Sequence, residues 1–139
     1  MLYHVPDRPK AIAEIKRVLK PGGHLIATTV GENHMKQMMD WHERVSNGEY
    51  SSMVTLSFTL ENGMEQLTPF FTNVRLSRYE DNLRVTELEP IMAYIRSGIP
   101  LVDLKEQELE RLKEELQSEL HQRGEIFISK DSGLFEAIK

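Results

Sequence analysis

The amino-acid sequence predicts an α/β fold, and three observations in its opening segment carry that expectation. An amphipathic helical stretch begins just after Asp7, Pro21-Gly22-Gly23 stops it, and His24 to Val30 follows as a short apolar, β-rich run. A helix that passes through a tight turn into a buried strand is a building unit of layered α/β architecture.

Each element has a local cause. Asp7 suits an N-cap, and Pro9 falls in the first turn, where a missing N–H is no loss. Ile12, Ile15 and Leu19 recur at three- and four-residue spacing with Val18 beside them, which makes one apolar stripe. Lys10, Lys16, Arg17 and Lys20 lie on the other side and gather at the C-terminal end, where positive charge complements the helix dipole. The proline–glycine–glycine turn then reverses the chain. The run from His24 to Val30 is too continuous for a one-sided strand and predicts cover on both faces, as in a parallel sheet with helices packed on it.

Glu32 to Ser46 reads as a helix with Met35, Met38, Met39, His42 and Val45 along one side, closed by Asn47-Gly48. Its methionine stripe suits adaptable core packing. Met53 to Leu60 is ambiguous: Val54, Leu56, Phe58 and Leu60 alternate as in a strand, whereas Met64, Leu67, Phe70 and Phe71 beyond Glu61-Asn62-Gly63 suggest a helix. The reading favours a loop or brief extended piece, then a helix from about Leu60 to Phe71. Asn73 to Tyr79 reads as a strand, Glu80-Asp81-Asn82 as a turn, and Leu83 to Val85 as a second extended piece. Thr86-Glu87-Leu88-Glu89 has the pattern of a capping box, ahead of a helix filled by Ile91, Met92, Tyr94 and Ile95 that stops at Ser97-Gly98. After a break at Ile99-Pro100, Asp103 is placed to cap a longer helix to about Gln122, with Leu109, Leu112, Leu116 and Leu120 as its seam and Gly124 as its stop. Two heptads are short for a coiled coil, so the seam reads as a helix lying on its own domain, and the acidity from Glu106 through Glu119 as a solvated face. Ile126 to Ile128 is a short strand, Lys130 to Gly133 a turn, and Leu134 to Ile138 a closing strand. No repeat, low-complexity tract or linker divides the chain, so residues 1–139 are expected to form a single domain.

Composition excludes several classes of function. With 139 residues, 40% hydrophobic and 28% charged, the chain has the makings of one globular domain. A net charge of −5 and a pI near 5.6 argue against a nucleic-acid-binding face, which needs clustered Lys and Arg. The absence of cysteine removes disulfides, thiol catalysis and Cys-based zinc sites, and fits a reducing cytosol. No stretch approaches the ~20 apolar residues of a membrane span, and no signal pattern opens the chain, so a soluble, cytoplasmic protein is expected. The histidines at positions 4, 24, 34, 42 and 121 have no helical zinc spacing, so no metal site is expected. There is no G-x-S-x-G elbow, Walker lysine loop or G-x-G-x-x-G fingerprint. Pro21-Gly22-Gly23 follows a helix and precedes a strand, the wrong order for cradling a phosphate. Residue chemistry alone supports only a soluble α/β domain.

Two motifs carry further. The run Met1-Leu-Tyr-His-Val-Pro-Asp7 resembles the segment after the fourth strand of class I S-adenosylmethionine (SAM)-dependent methyltransferases, at the active-site mouth. Arg17-Val-Leu-Lys-Pro-Gly-Gly23 is similar to that family's turn into its fifth strand, which His24 to Val30 would form. Asn73 to Tyr79 would then be the sixth strand and Gly133 to Lys139 the antiparallel seventh, with a helical insertion at about 87–122 of the kind that covers a small substrate. The resemblance implies a partial Rossmann-like sheet of strands five, seven and six with flanking helices, lacking the N-terminal half that carries the glycine-rich loop. It implies SAM as cofactor and a small-molecule methyl acceptor. It also places Leu2 and Tyr3 at the periphery of the cofactor site, and gives His4 an acceptor-side positioning or proton-handling role. For His4 the alternative is a structural hydrogen bond, and for Tyr3 it is packing.

Two expectations follow from what the resemblance leaves before Met1. One is a truncated or mis-started methyltransferase, inactive alone because methyl transfer depends on proximity and in-line orientation. The other is a non-catalytic interaction protein: a bare edge at strand 24–30 is a pairing hazard, which a symmetric homodimer would bury.

Overall fold

The computed structural model describes residues 2–45, 57–97 and 104–139. A 3-10 turn at Leu2–His4 leads into α1 (Arg8–Val18) and β1 (His24–Val30). Then come α2 (Lys36–Val45), α3 (Gly63–Leu67), β2 (Asn73–Val85), α4 (Leu88–Arg96), α5 (Glu106–Arg123) and β3 (Ile126–Ile138). The strands form one sheet in the order β1-β3-β2. β1 and β3 are antiparallel, with His24 opposite Ile138 and Val30 opposite Ser132. The architecture is α/β, and its strand order is the five-seven-six order that the resemblance implies.

The described residues divide into two compact units, one of residues 2–34, 57–81 and 131–139, the other of residues 35–45, 82–97 and 104–130. α4 and α5 fall in the second. The first unit packs Ile12 of α1, Ala27 of β1, Leu67 of α3 and Phe135 and Ala137 of β3 into one core with Phe58, Leu60 and Phe71. The second packs Met38, Trp41 and Val45 of α2 with Ile91, Met92 and Ile95 of α4, Leu112 and Leu116 of α5, and Ile126 and Ile128 of β3.

Local signals set several boundaries as expected. The Asp7 carboxylate accepts the Lys10 amide at 3.1 Å, and α1 carries proline in its first turn. Gly124 ends α5 at φ +76°, a left-handed conformation that favours glycine, and its N–H reaches Leu120 O at 2.9 Å. The leucine seam of α5 faces inward, Leu112 and Leu116 being wholly buried and Leu109 and Leu120 partly so.

Other expectations are corrected. β1 is not covered on both faces: Ala27 and Thr29 are buried, while His24, Ile26 and Thr28 are exposed. Its neighbour runs antiparallel, a pairing that can leave one sheet face to solvent. The turn expected at Glu80-Asp81-Asn82 is absent, because β2 runs unbroken from Asn73 to Val85. β2 ends the strand order, so an edge position lets its charged side chains stay in water. The turn expected at Lys130 to Gly133 is likewise strand, within β3. Gly133 serves close approach there, since a Cβ on it would stand 2.5 Å from the Ser77 carbonyl oxygen of β2.

α2 begins at Lys36, four residues later than Glu32, and buries Trp41, which the methionine stripe had overshadowed. α3 is confined to Gly63–Leu67, shorter than the Leu60 to Phe71 helix expected. α4 starts at Leu88 with no side-chain cap, so the Thr86–Glu89 capping box does not form. Pro90 stands in its first turn and has no amide for a cap to serve. α5 starts at Glu106, where the Glu108 carboxylate accepts the Lys105 amide at 2.7 Å. The proposed cap Asp103, the Asn47-Gly48 stop, the Gly98 to Pro100 break and the stretch 46–56 lie outside the described residues. No helix among the described residues is long and apolar enough to cross a membrane.

Candidate functional site

In the first unit, a polar network holds the Leu2–His4 turn. Arg8, at the start of α1, donates from Nη1 to Val5 O at 3.1 Å and to Ser57 Oγ at 2.6 Å, and from Nε to Gln66 Oε1 at 2.9 Å. Ser57 Oγ in turn donates to the Tyr3 carbonyl at 3.2 Å. Gln66 Nε2 donates to Ser57 O at 3.0 Å and to Asn62 Oδ1 at 2.8 Å, and Asn62 Oδ1 also accepts the Thr59 amide at 2.9 Å. One guanidinium thus fixes the approach to α1 against the segment before α3.

A cleft of about 500 Å³ opens beside this turn. Tyr3 lines it with Thr28, Thr29 and Val30 at the carboxyl end of β1, Ser77 to Tyr79 of β2 and Ser132 to Leu134 of β3. Of the three residues singled out in sequence, the structure brings Tyr3 to the cleft wall. Leu2 is partly buried against the core of the first unit. His4 is exposed, its ring 4.6 Å from the Tyr3 ring centroid and tilted by 56°. Thr29, on the buried face of β1, satisfies its hydroxyl by donating to Phe58 O at 2.6 Å.

The charged feature of the cleft is Arg78. Its Nη1 lies 2.5 Å from Asp131 Oδ1 and its Nη2 2.9 Å from Glu61 Oε1, while Glu61 Oε2 accepts the Glu32 amide at 3.2 Å. Burial pushes the Glu61 carboxyl up, but the hydrogen bonds from Arg78 and from neighbouring backbone and Thr59 donors outweigh it, leaving the group below its usual 4.5. The same two carboxylates raise Arg78 further above its ordinary value, Glu61 through its hydrogen bond foremost. A depressed carboxylate stabilises the fold fully above its unfolded value of 4.5, and that contribution disappears as pH falls through the lower folded value. Arg78→Ala is therefore expected to lower stability by about 1 kcal/mol at pH 7, Arg78 being half exposed. Urea titrations should show the wild-type advantage shrinking below pH 4.5. A difference that stays constant from pH 7 to pH 3 would refute the assignment.

Sequence reading missed both arginines. Arg8 is 58 residues from Gln66 and 49 from Ser57, and Arg78 is 53 from Asp131, so no local pattern pairs them. Among the described residues, no three His, Asp or Glu side chains cluster as a metal site.

The cleft lies at the carboxyl end of a strand, where open α/β sheets take their ligands. Residues 1–27 match the family model of the methyltransferase domain, a match that takes in the Leu2–His4 turn, α1 and the start of β1. Two solved structures of a phosphoethanolamine N-methyltransferase 2 from Haemonchus contortus are similar to the chain. One, in complex with phosphomonomethylethanolamine and S-adenosylhomocysteine, is 20% identical over 99% of the chain, with a TM-score of 0.39. The other, in complex with S-adenosyl-L-methionine, is 21% identical over 100% of it, with a TM-score of 0.40. The chain spans 31% of the length of each. Comparison with curated proteins gives no match.

Proposed function

We propose that these residues form part of a SAM-dependent methyltransferase domain whose methyl acceptor is a small molecule. The observation that carries the reading is the family match over residues 1–27, which takes in both the Leu2–His4 turn and most of β1. In this reading Tyr3 and Leu2 border the cofactor and acceptor, and His4 positions the acceptor or handles its proton. The partners are small molecules, with neither nucleic acid nor membrane involved. The place of action is the cytoplasm, which the lack of cysteine fits.

The 139 residues contain no G-x-G-x-x-G loop, so this chain by itself is expected neither to hold SAM firmly nor to transfer its methyl group. Calorimetric titration of the purified chain with SAM tests this. The expected result is no saturation up to millimolar, a binding free energy weaker than about −4 kcal/mol. Tight, saturable binding would show that a working cofactor pocket exists in this chain or across a pair of chains.

A second reading, a non-catalytic homodimer, is favoured by one observation. β1 ends the strand order, and Ile26 on it is 53% exposed. Two such edges meeting about a two-fold axis would satisfy each other's backbone groups. Sedimentation separates the readings: a defined dimer without SAM affinity supports the second, and SAM-dependent acceptor turnover removes it.

A further inference from the structure

The second unit contains a pocket of about 320 Å³. Met35, Met38, Val85, Ile91 and Ile128 form its walls, and Tyr94 stands at its rim. Among the described residues, no carboxylate, ammonium, guanidinium or imidazole lines it, so a charged ligand would lose its hydration there without compensation. Among the described residues that line it, Tyr94 supplies the polar side chain. The Tyr94 hydroxyl faces the Met35 sulfur at 3.8 Å, and a thioether is a weak acceptor that a ligand oxygen readily outcompetes.

Met35 provides an independent observation. It has φ +55°, a left-handed conformation uncommon for a residue with a side chain. Such a conformation persists only where the surroundings impose it. Here the Met35 amide donates to Ser129 O at 2.8 Å, and the Met35 carbonyl accepts the Met38 amide at 2.9 Å. Ser129 is itself held, its amide and hydroxyl donating to Gln37 Oε1 at 2.8 and 2.9 Å. The strained residue is a wall of the pocket, and methionine adapts well to apolar ligands.

Size decides between kinds of occupant. A cavity of roughly 150 Å³ takes benzene, so this one suits roughly two fused rings or a short alkyl chain. It is too small to seat a helix or strand of a partner protein. We propose that the pocket binds a small, neutral aromatic or aliphatic molecule. Its apolar body packs on the two methionines and the Val85–Ile91–Ile128 wall, and one oxygen accepts from the Tyr94 hydroxyl. The inference rests on these side chains alone and stands or falls without the methyltransferase reading.

The test is methyl NMR of the chain labelled at its seven methionines, titrated with 2-acetylnaphthalene, naphthalene and naphthalene-2-sulfonate. Neither SAM nor methyl transfer enters the readout. The Met35 and Met38 methyls should shift saturably with 2-acetylnaphthalene, while Met64, in the first unit, stays put. The sulfonate should bind at least about tenfold more weakly. Tyr94→Phe should weaken 2-acetylnaphthalene about two- to tenfold and leave naphthalene unchanged. Leu83→Trp, at an exposed position on the rim, should abolish the shifts. Unsaturable shifts, equal shifts at Met64, or equal binding of the sulfonate would overturn the proposal. If circular dichroism shows Leu83→Trp unfolded, the Tyr94→Phe comparison decides: an unchanged affinity for 2-acetylnaphthalene overturns the assignment of Tyr94, and with it the site.

Discussion

Phe135→Ala is expected to destabilise the first unit by about 3–5 kcal/mol, a large part of the roughly 5–15 kcal/mol that a natural domain possesses. Phe135 is wholly buried in β3 and meets Phe58 edge-on, with ring centroids 5.6 Å apart at 66°. That geometry contributes about 0.5–1.5 kcal/mol beyond the area buried. Gly63 opens α3 directly beside the ring, where a Cβ would collide with Phe135, so the helix is seated against the aromatic with no side chain between. Truncating the ring therefore removes one wall for α3 as well as leaving a cavity. Phe135→Leu keeps much of the volume and should cost appreciably less. Guanidinium titrations followed by far-ultraviolet circular dichroism measure both. A Phe135→Ala midpoint within error of wild type would show that this aromatic pair does not hold the first unit together.

How much of this was legible in sequence depended on whether the cause was local. α1 and β1 could be read because Asp7, Pro9 and Pro21-Gly22-Gly23 act on their immediate neighbours, and α5 because four leucines at helical spacing meet a glycine stop. The middles of β2 and β3 were misread for a symmetrical reason. Glu80-Asp81-Asn82 and Lys130 to Gly133 are turn-forming by composition, yet the sheet uses Gly133 for close approach and Asp131 as the partner of Arg78. Those uses depend on residues some 50 positions away. The strand order came from the family resemblance, since no periodicity states which strand lies between two others. The candidate sites divide in the same way. Tyr3 was visible within a motif, whereas Arg8, Arg78, the left-handed Met35 and the rim hydroxyl of Tyr94 take their meaning only from contacts that folding creates.

In the second unit, Leu116→Ala is expected to cost about 2–5 kcal/mol, and the way that loss is measured also settles what the leucine seam is for. Leu112 and Leu116 are fully buried in one core with Trp41, Ile91 and Ile95. Trp41 is the chain's single tryptophan and is itself buried, so its fluorescence reports unfolding of this core directly. Leu116→Met, which nearly conserves volume, should cost less than about 1.5 kcal/mol, and Gln117→Ala, one residue along on the exposed side of α5, should stay within about 0.5 kcal/mol. A seam buried within its own unit gives unfolding midpoints independent of protein concentration. A seam shared between chains as a coiled coil would raise the midpoint with concentration, because association stabilises only the assembled state. Repeating the titrations over a hundredfold range of concentration therefore tests the seam itself. Losses that follow this order and do not move with concentration place the leucines in the unit's own core, whereas a concentration-dependent midpoint abolished by Leu116→Ala would move them to an interface.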